Sequence, residues 1–182
     1  MKIVICPGIH AVDLTQQFVM SLGKLPNPVL VFPTDRYPAY SGWHIVQFLQ
    51  AGSPELAPDD EILLIGFSAG VVGAASAAVL WQGLGKSVKA LIAIDGWGVP
   101  LWGNFPIYRV SHDSFTHWSS ALLGSGNESF YADPPVDHLE LWRSPQRSWG
   151  WQVRSGYFAA QAHRPITACQ FIQQLLSRHH ES

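Results

Sequence analysis

Short, continuous apolar runs alternate along the chain with longer stretches in which apolar residues recur at helical spacing. The continuous runs lack the polar alternation of a strand that faces water, so we expect strands buried on both faces. Helical stretches between such strands predict a parallel sheet. The predicted strands are residues 2–6, 29–32, 61–67, 88–94, 107–110 and, more weakly, 129–132. The predicted helices are residues 11–22, 42–51, 69–82 and 166–177.

This order of elements predicts an α/β fold, a three-layer sandwich in which helices cover both faces of a mostly parallel, six-stranded sheet. The length of 182 residues fits a single domain spanning 1–182. Hydrophobic residues make up 47% of the chain and charged residues only 13%, a balance that excludes a disordered chain.

Charge and hydropathy restrict the expected partners and the expected cellular location of the protein. A net charge of −2 gives no indication of a nucleic-acid partner. No apolar stretch reaches the ~18 residues of a membrane span, and the N-terminal run ends at Pro7, too early for a secretory signal. Cys6 and Cys169 each lie in an apolar stretch, and we expect them to be buried free thiols. Together these features predict a cytoplasmic protein.

A candidate nucleophile follows the third predicted strand. That strand runs directly into Gly66-Phe67-Ser68-Ala69-Gly70, which is followed by a predicted helix. A G-x-S-x-G sequence between a strand and a helix forms a sharp turn that exposes the serine hydroxyl above the sheet. Glycines on either side leave room for the strained backbone of this turn. The pattern therefore predicts that Ser68 is a nucleophile.

This strand–turn–helix motif resembles that of the α/β-hydrolase superfamily, and the order of elements matches over most of the chain. The length resembles that of the small, lidless lipases and esterases in the superfamily. Only residues 95–106 separate the fourth and fifth predicted strands, where larger members insert a cap domain. The resemblance therefore implies a compact hydrolase fold without a cap.

The resemblance also implies a triad, because the family carries its serine, acid and histidine in that order along the chain. Asp113, just after the fifth predicted strand, is the expected acid, and Asp95, after the fourth, is the alternative. His138, after the sixth predicted strand, is the expected base. His163, directly before the last predicted helix, is the alternative base.

An oxyanion hole requires two backbone N–H groups that point to the developing negative charge. One is expected from Ala69 and the other from the loop after the first strand, where Ile9 is preferred and His10 is second. Aromatic residues on loops at this end of the sheet are expected to form an apolar substrate pocket. The residues assigned to that pocket are His10, Phe67, Trp97, Trp102 and Trp118.

Other motifs do not predict a cofactor. Gly85-Lys86-Ser87 lacks the spacing and the element order of a phosphate-binding loop. His112 and His117 fit no common metal-ligand motif, so no metal is expected. The sequence thus favours a serine hydrolase acting on a small-molecule carboxylic ester or thioester. The alternatives are a catalytically inactive α/β-hydrolase-fold binding protein and an acyltransferase on the same fold.

Overall fold

A computed structural model describes residues 1–25, 27–51, 61–124, 126–154 and 164–181. Within these residues the chain forms an α/β fold with one mixed sheet of eight strands and with six helices. In chain order the elements are β1 (Lys2–Cys6), α1 (Val12–Ser21), β2 (Val29–Val31), α2 (Gly42–Gln50), β3 (Ile62–Phe67), α3 (Ala69–Gly83), β4 (Val88–Ile94), β5 (Ile107–Ser111), α4 (Ser114–Ala121), β6 (Glu128–Ala132), α5 (His138–Arg143), β7 (Trp149–Arg154), β8 (Arg164–Thr167) and α6 (Ala168–Glu181).

The strand order is β2-β1-β3-β4-β5-β6-β7-β8. The first six strands in this order pair in parallel, whereas β7 and β8 are antiparallel to their neighbours. The predicted α/β class is confirmed, but the predicted six-stranded sheet is wrong, because two antiparallel strands extend it. Their sequences lack the continuous apolar runs that identified the other strands.

The last predicted helix also begins later than expected. Ile166 and Thr167 pair with β7 as part of β8, and α6 starts at Ala168. Thr167 and Gln170 set this boundary through a reciprocal cap, in which the backbone N–H of Gln170 donates to Thr167 Oγ1 and that of Thr167 donates to Gln170 Oε1. Such a capping box satisfies two N–H groups that the first helical turn leaves without a partner.

Helices pack on both faces of the sheet. Along β1, Ile3 and Ile5 belong to one core cluster, to which α1, α5 and α6 contribute, and Val4 and Cys6 belong to the other, which includes α2 and α3. Burial on both faces explains why the central strands are apolar throughout. The carboxyl ends of the parallel strands meet at one edge of the sheet, where ligand sites form in folds of this kind.

Both cysteines are buried free thiols, Cys6 in β1 and Cys169 in α6. Burial raises the pKa of each thiol above its usual range. The two side chains therefore remain uncharged at neutral pH. None of the helices in the described ranges combines the length and the apolar character needed to cross a bilayer.

Candidate active site

Ser68 occupies a sharp turn between β3 and α3. Its backbone has φ of 52° and ψ of −121°, a conformation that residues with a side chain rarely adopt. The turn is held by the backbone N–H of Ser68, which donates to the carbonyl of Ile94 at 2.9 Å, and by that of Val71, which donates to the carbonyl of Ser68 at 3.0 Å. Strain of this kind persists only where surrounding structure enforces it, and it clusters at functional sites.

Two glycines allow the turn to pack tightly. A Cβ on Gly70 would lie 2.1 Å from the carbonyl oxygen of Cys6, and one on Gly66 would lie 2.8 Å from Val71 Cα. Both separations are too short for any side chain. The glycines that frame Ser68 are therefore required because the first turn of α3 lies directly against the ends of β1 and β3.

Ser68 and Ala69 line a cavity of about 550 Å³ at the carboxyl ends of the parallel strands. The titratable groups that line this cavity are Asp95 after β4, His112 and Asp113 after β5, and His138 at the start of α5. Residues distant in sequence thus meet around the serine because their strands are neighbours in the sheet.

The His138 ring is held by a buried carboxylate. Its Nδ1 donates to Asp95 Oδ2 at 2.8 Å, and the side chain of Asp95 is 1% exposed. The ring stacks on Phe67, with 4.6 Å between the centroids. A neutral imidazole that donates from Nδ1 presents Nε2 as its proton acceptor, the arrangement that a general base requires.

Asp113, the acid preferred from sequence, lies elsewhere in the cavity wall. It is the N-cap of α4, where Oδ1 accepts the backbone N–H of Thr116 at 2.6 Å. Its Oδ2 lies 3.3 Å from His112 Nε2 rather than against His138. The carboxylate that the structure places on His138 is that of Asp95, the alternative that the sequence left open.

His112 contacts both of these carboxylates. Its Nδ1 lies 3.0 Å from Asp95 Oδ2, its Nε2 faces Asp113, and its backbone N–H donates to Asp95 Oδ1 at 2.9 Å. Carboxylates only accept hydrogen bonds, so the ring satisfies both partners when both of its nitrogens carry a proton. From the sequence, His112 is interpreted as a polar loop residue near the active face and is given no role in the site, although its position directly after β5 is a signal for one.

The pKa values in this cluster shift in the expected directions. Burial alone would raise the pKa of Asp95, but hydrogen bonds from His112 and His138 outweigh it and lower that pKa. The hydrogen bond to Asp95 raises the pKa of His112, although partial burial opposes the rise. Asp95 is therefore ionised at neutral pH and balances a positive charge on either ring.

The same groups form a candidate metal cluster. Ligand atoms of Asp95, His112 and His138 lie within 4.8 Å of one another. However, the separations of 2.8 and 3.0 Å between Asp95 Oδ2 and the two Nδ1 atoms are hydrogen-bond distances. A metal ion would have to displace both ring protons from the shared carboxylate, so hydrogen bonding explains this geometry without a metal.

The predicted oxyanion donors lie beside the sharp turn at Ser68. Ala69 is the first residue of α3, where the backbone N–H groups have no partner within the helix. The loop of residues 7–10 packs against the same turn, since a Cβ on Gly8 would lie 3.1 Å from Ser68 Cβ. The side chain of Ile9 points to solvent, at 78% exposed. That Ile9 or His10 donates its backbone N–H to the oxyanion stays a prediction.

Of the predicted pocket residues, three lie at or next to the site and two lie farther from it. Phe67 and Trp97 border the site, Phe67 by stacking on His138 and Trp97 as part of the cavity wall. The ring of His10 packs edge-on against Phe67 at 5.5 Å. Trp102 lines an adjoining groove, and Trp118 packs instead against His117 and Tyr131. His163, the alternative base, lies outside the described residues.

The arrangement contains the parts that nucleophilic catalysis uses. A strained serine stands at a helix N-terminus, and an imidazole held by a buried carboxylate lines the same cavity. These groups can activate a hydroxyl for attack on a carbonyl carbon. No protein-family model matches the chain, and no curated protein matches it either.

Proposed function

We propose that the protein is a serine hydrolase that cleaves a carboxylic ester or thioester, with Ser68 as nucleophile, His138 as base and Asp95 as acid. One observation carries the proposal. The 2.8 Å hydrogen bond between Asp95 and His138 lies in the cavity that Ser68 lines from a backbone conformation with positive φ. The resemblance of the serine motif to that of α/β-hydrolases supports the same function.

Acylation would begin as His138 Nε2 takes the proton of the Ser68 hydroxyl while Oγ attacks the substrate carbonyl. The backbone N–H of Ala69 and one from residues 7–10 would stabilise the tetrahedral oxyanion. Asp95 would hold the Nδ1–H tautomer and stabilise the imidazolium. That imidazolium then protonates the leaving alkoxide or thiolate, and the acyl group remains on Ser68.

Deacylation would reverse the proton transfers. His138 takes a proton from water, whose oxygen attacks the acyl carbon, and then returns the proton to Ser68 Oγ as the carboxylic acid leaves. Among the described residues, the side chain of His138 forms a hydrogen bond with Asp95 alone. The mechanism therefore requires His138 Nε2 to come within hydrogen-bond distance of Ser68 Oγ when substrate binds, as catalytic hydrogen bonds commonly do.

The fold agrees with a small hydrolase that has no cap domain. Helices on both faces of the sheet are consistent with a three-layer sandwich, and only residues 95–106 separate β4 from β5. The substrate would therefore reach Ser68 directly from solvent. Buried free thiols fit a reducing compartment, which supports the cytoplasm as its location.

The assignment of the acid is tested by comparing Asp95→Asn with Asp113→Asn in the hydrolysis of p-nitrophenyl butyrate. Asp95→Asn should lower kcat by about 10⁴-fold, the loss typical when a triad acid no longer holds its histidine. Asp113→Asn should cause a much smaller loss, because asparagine keeps an oxygen that caps α4.

The reverse ranking would return the role of acid to Asp113. A folded wild-type protein that hydrolyses no ester or thioester would instead favour the inactive binding protein. Product release that requires an added alcohol or amine would favour the acyltransferase.

A further inference from the structure

An apolar groove of about 430 Å³ adjoins the serine cavity. One wall is a single face of α3, with Val72, Ala75 and Val79, and the other is the segment that contains Val99 and Trp102. Val72 and Val99 also line the cavity of Ser68. The two spaces therefore meet at these two residues, and a ligand can extend from one into the other.

The chemistry of the groove selects an uncharged, apolar ligand. No Asp, Glu, Lys or Arg of the described chain lines it, and Ser76 contributes its one hydroxyl group. Its apolar walls are open to water, with Val79 46% exposed and Trp102 69% exposed. Covering such a surface with a hydrocarbon chain is favourable in proportion to the apolar area that is removed from water.

The direction and length of the groove suit a linear chain. Ser68 is the N-cap of α3, and the groove follows that helix away from the serine. From Val72 to Val79 the helix rises about 10 Å, at ~1.5 Å per residue. This length accommodates a medium-length alkyl chain, and a two-carbon acyl group would not reach into the groove.

The position of His138 determines which end of an ester lies there. Its imidazolium must protonate the leaving oxygen, so the leaving group has to lie beside His138. His138 is absent from the lining of the groove, which runs along α3 from Val72 to Leu80. The acyl chain is thus the part of the substrate that remains for the groove.

We propose that this groove is the acyl-chain subsite and that the substrates are medium-chain acyl esters or thioesters. The proposal rests on the proposed hydrolase function. It assigns to Val72, Val79 and Trp102 the selection of the acyl group rather than a role in the chemical step.

The test compares p-nitrophenyl acetate, butyrate and octanoate as substrates. For the wild type, kcat/KM should rise from acetate to octanoate. Val79→Asp places a charge in the groove at an exposed helix position, and it should lower kcat/KM for octanoate at least ~10-fold more than for acetate. Trp102→Ala, at another exposed position, should act in the same direction. Leu122→Asp, at a residue that is 87% exposed and outside both cavities, is the matched control and should leave the chain-length preference unchanged.

A second pair of substrates separates the acyl side from the alcohol side. Val79→Asp should reduce cleavage of ethyl octanoate and spare octyl acetate. An equal loss on both, or a wild type without any chain-length preference, would overturn the acyl subsite while leaving the hydrolase intact. A wild type that cleaves none of these esters would instead overturn the hydrolase and the subsite together.

Discussion

The Asp95 carboxylate is the hydrogen-bond acceptor that the two histidines of the site share. Its Oδ2 lies at hydrogen-bond distance from two imidazoles, His112 and His138, and its backbone has φ of 50°. His112 in turn contacts Asp113, so two carboxylates and two rings form one connected chain. In such a network the protonation of one ring affects the charge available to the other.

The raised pKa of His112 predicts a pH dependence of stability. A histidine whose folded pKa exceeds its ordinary 6.5 stabilises the fold fully below that value and loses the contribution as pH rises through the folded pKa. Asp95, whose pKa is lowered from 3.8, contributes above that value and loses its contribution as pH falls through the folded pKa. His112→Gln should therefore cost most stability between about pH 4 and 6.5, and less at higher pH.

Urea unfolding of the wild type and of His112→Gln across this pH range measures the difference in free energy. A difference that does not vary with pH would contradict an imidazolium between two carboxylates. His112 also lowers the pKa of Asp95, so the substitution changes the titration of that carboxyl as well.

Among the secondary-structure elements, the close packing of α3 against β1 determines the sharp turn at Ser68. Gly70 lies where any Cβ would meet the carbonyl oxygens of Cys6 and Pro7, at 2.1 and 2.5 Å. These are backbone atoms at the end of the buried strand β1 and in the residue that follows it, and they cannot move as a flexible side chain does. The helix must therefore shift if position 70 carries a side chain.

Gly70→Ala should destabilise the protein by about 3 kcal/mol or more, because overpacking against backbone is costly. Gly83→Ala is the matched control, since Gly83 is the last residue of α3 and a Cβ there has no atom within 4 Å. Alanine at that helical position should be neutral or stabilising by about 0.5–1 kcal/mol. Equal stability of the two variants in urea unfolding would show that α3 does not pack as described.

Sequence patterns predicted all six parallel strands, and most clearly the central ones, because burial on both faces leaves a continuous apolar run. The same reasoning missed β7, whose sequence Trp-Gly-Trp-Gln-Val-Arg mixes apolar and polar residues at the edge of the parallel part. Position 150 in that strand requires glycine, because a Cβ there would lie 2.0 Å from the carbonyl oxygen of Tyr131. No local sequence pattern reveals this contact between strands.

The candidate site was predictable to a different degree for each residue. The motif around Ser68 specifies its own turn, so the sequence was sufficient there. Asp95 and Asp113 both follow strand ends, and the resemblance to the hydrolases favoured Asp113. The difference between them is visible only in the folded chain, where Asp113 caps α4 and Asp95 forms a hydrogen bond with His138.

At the scale of the whole molecule, the sheet brings the site together. Ser68, Asp95 and His112 follow the adjacent strands β3, β4 and β5, and the segment after β6 carries His138. A backbone hydrogen bond from Val136 to the carbonyl of His112, at 3.1 Å, ties that segment to the end of β5. The proposed activity therefore depends on the intact sheet, and the unfolded chain should show no activated serine.

The most direct test of this claim is to react the folded protein with a fluorophosphonate and to locate the adduct by peptide mass spectrometry. One adduct is expected, on Ser68, and it should be lost in His138→Ala and in protein unfolded with urea before the reaction. Absence of an adduct from the folded wild type, or an adduct on a different serine, would contradict the assignment of Ser68 as an activated nucleophile.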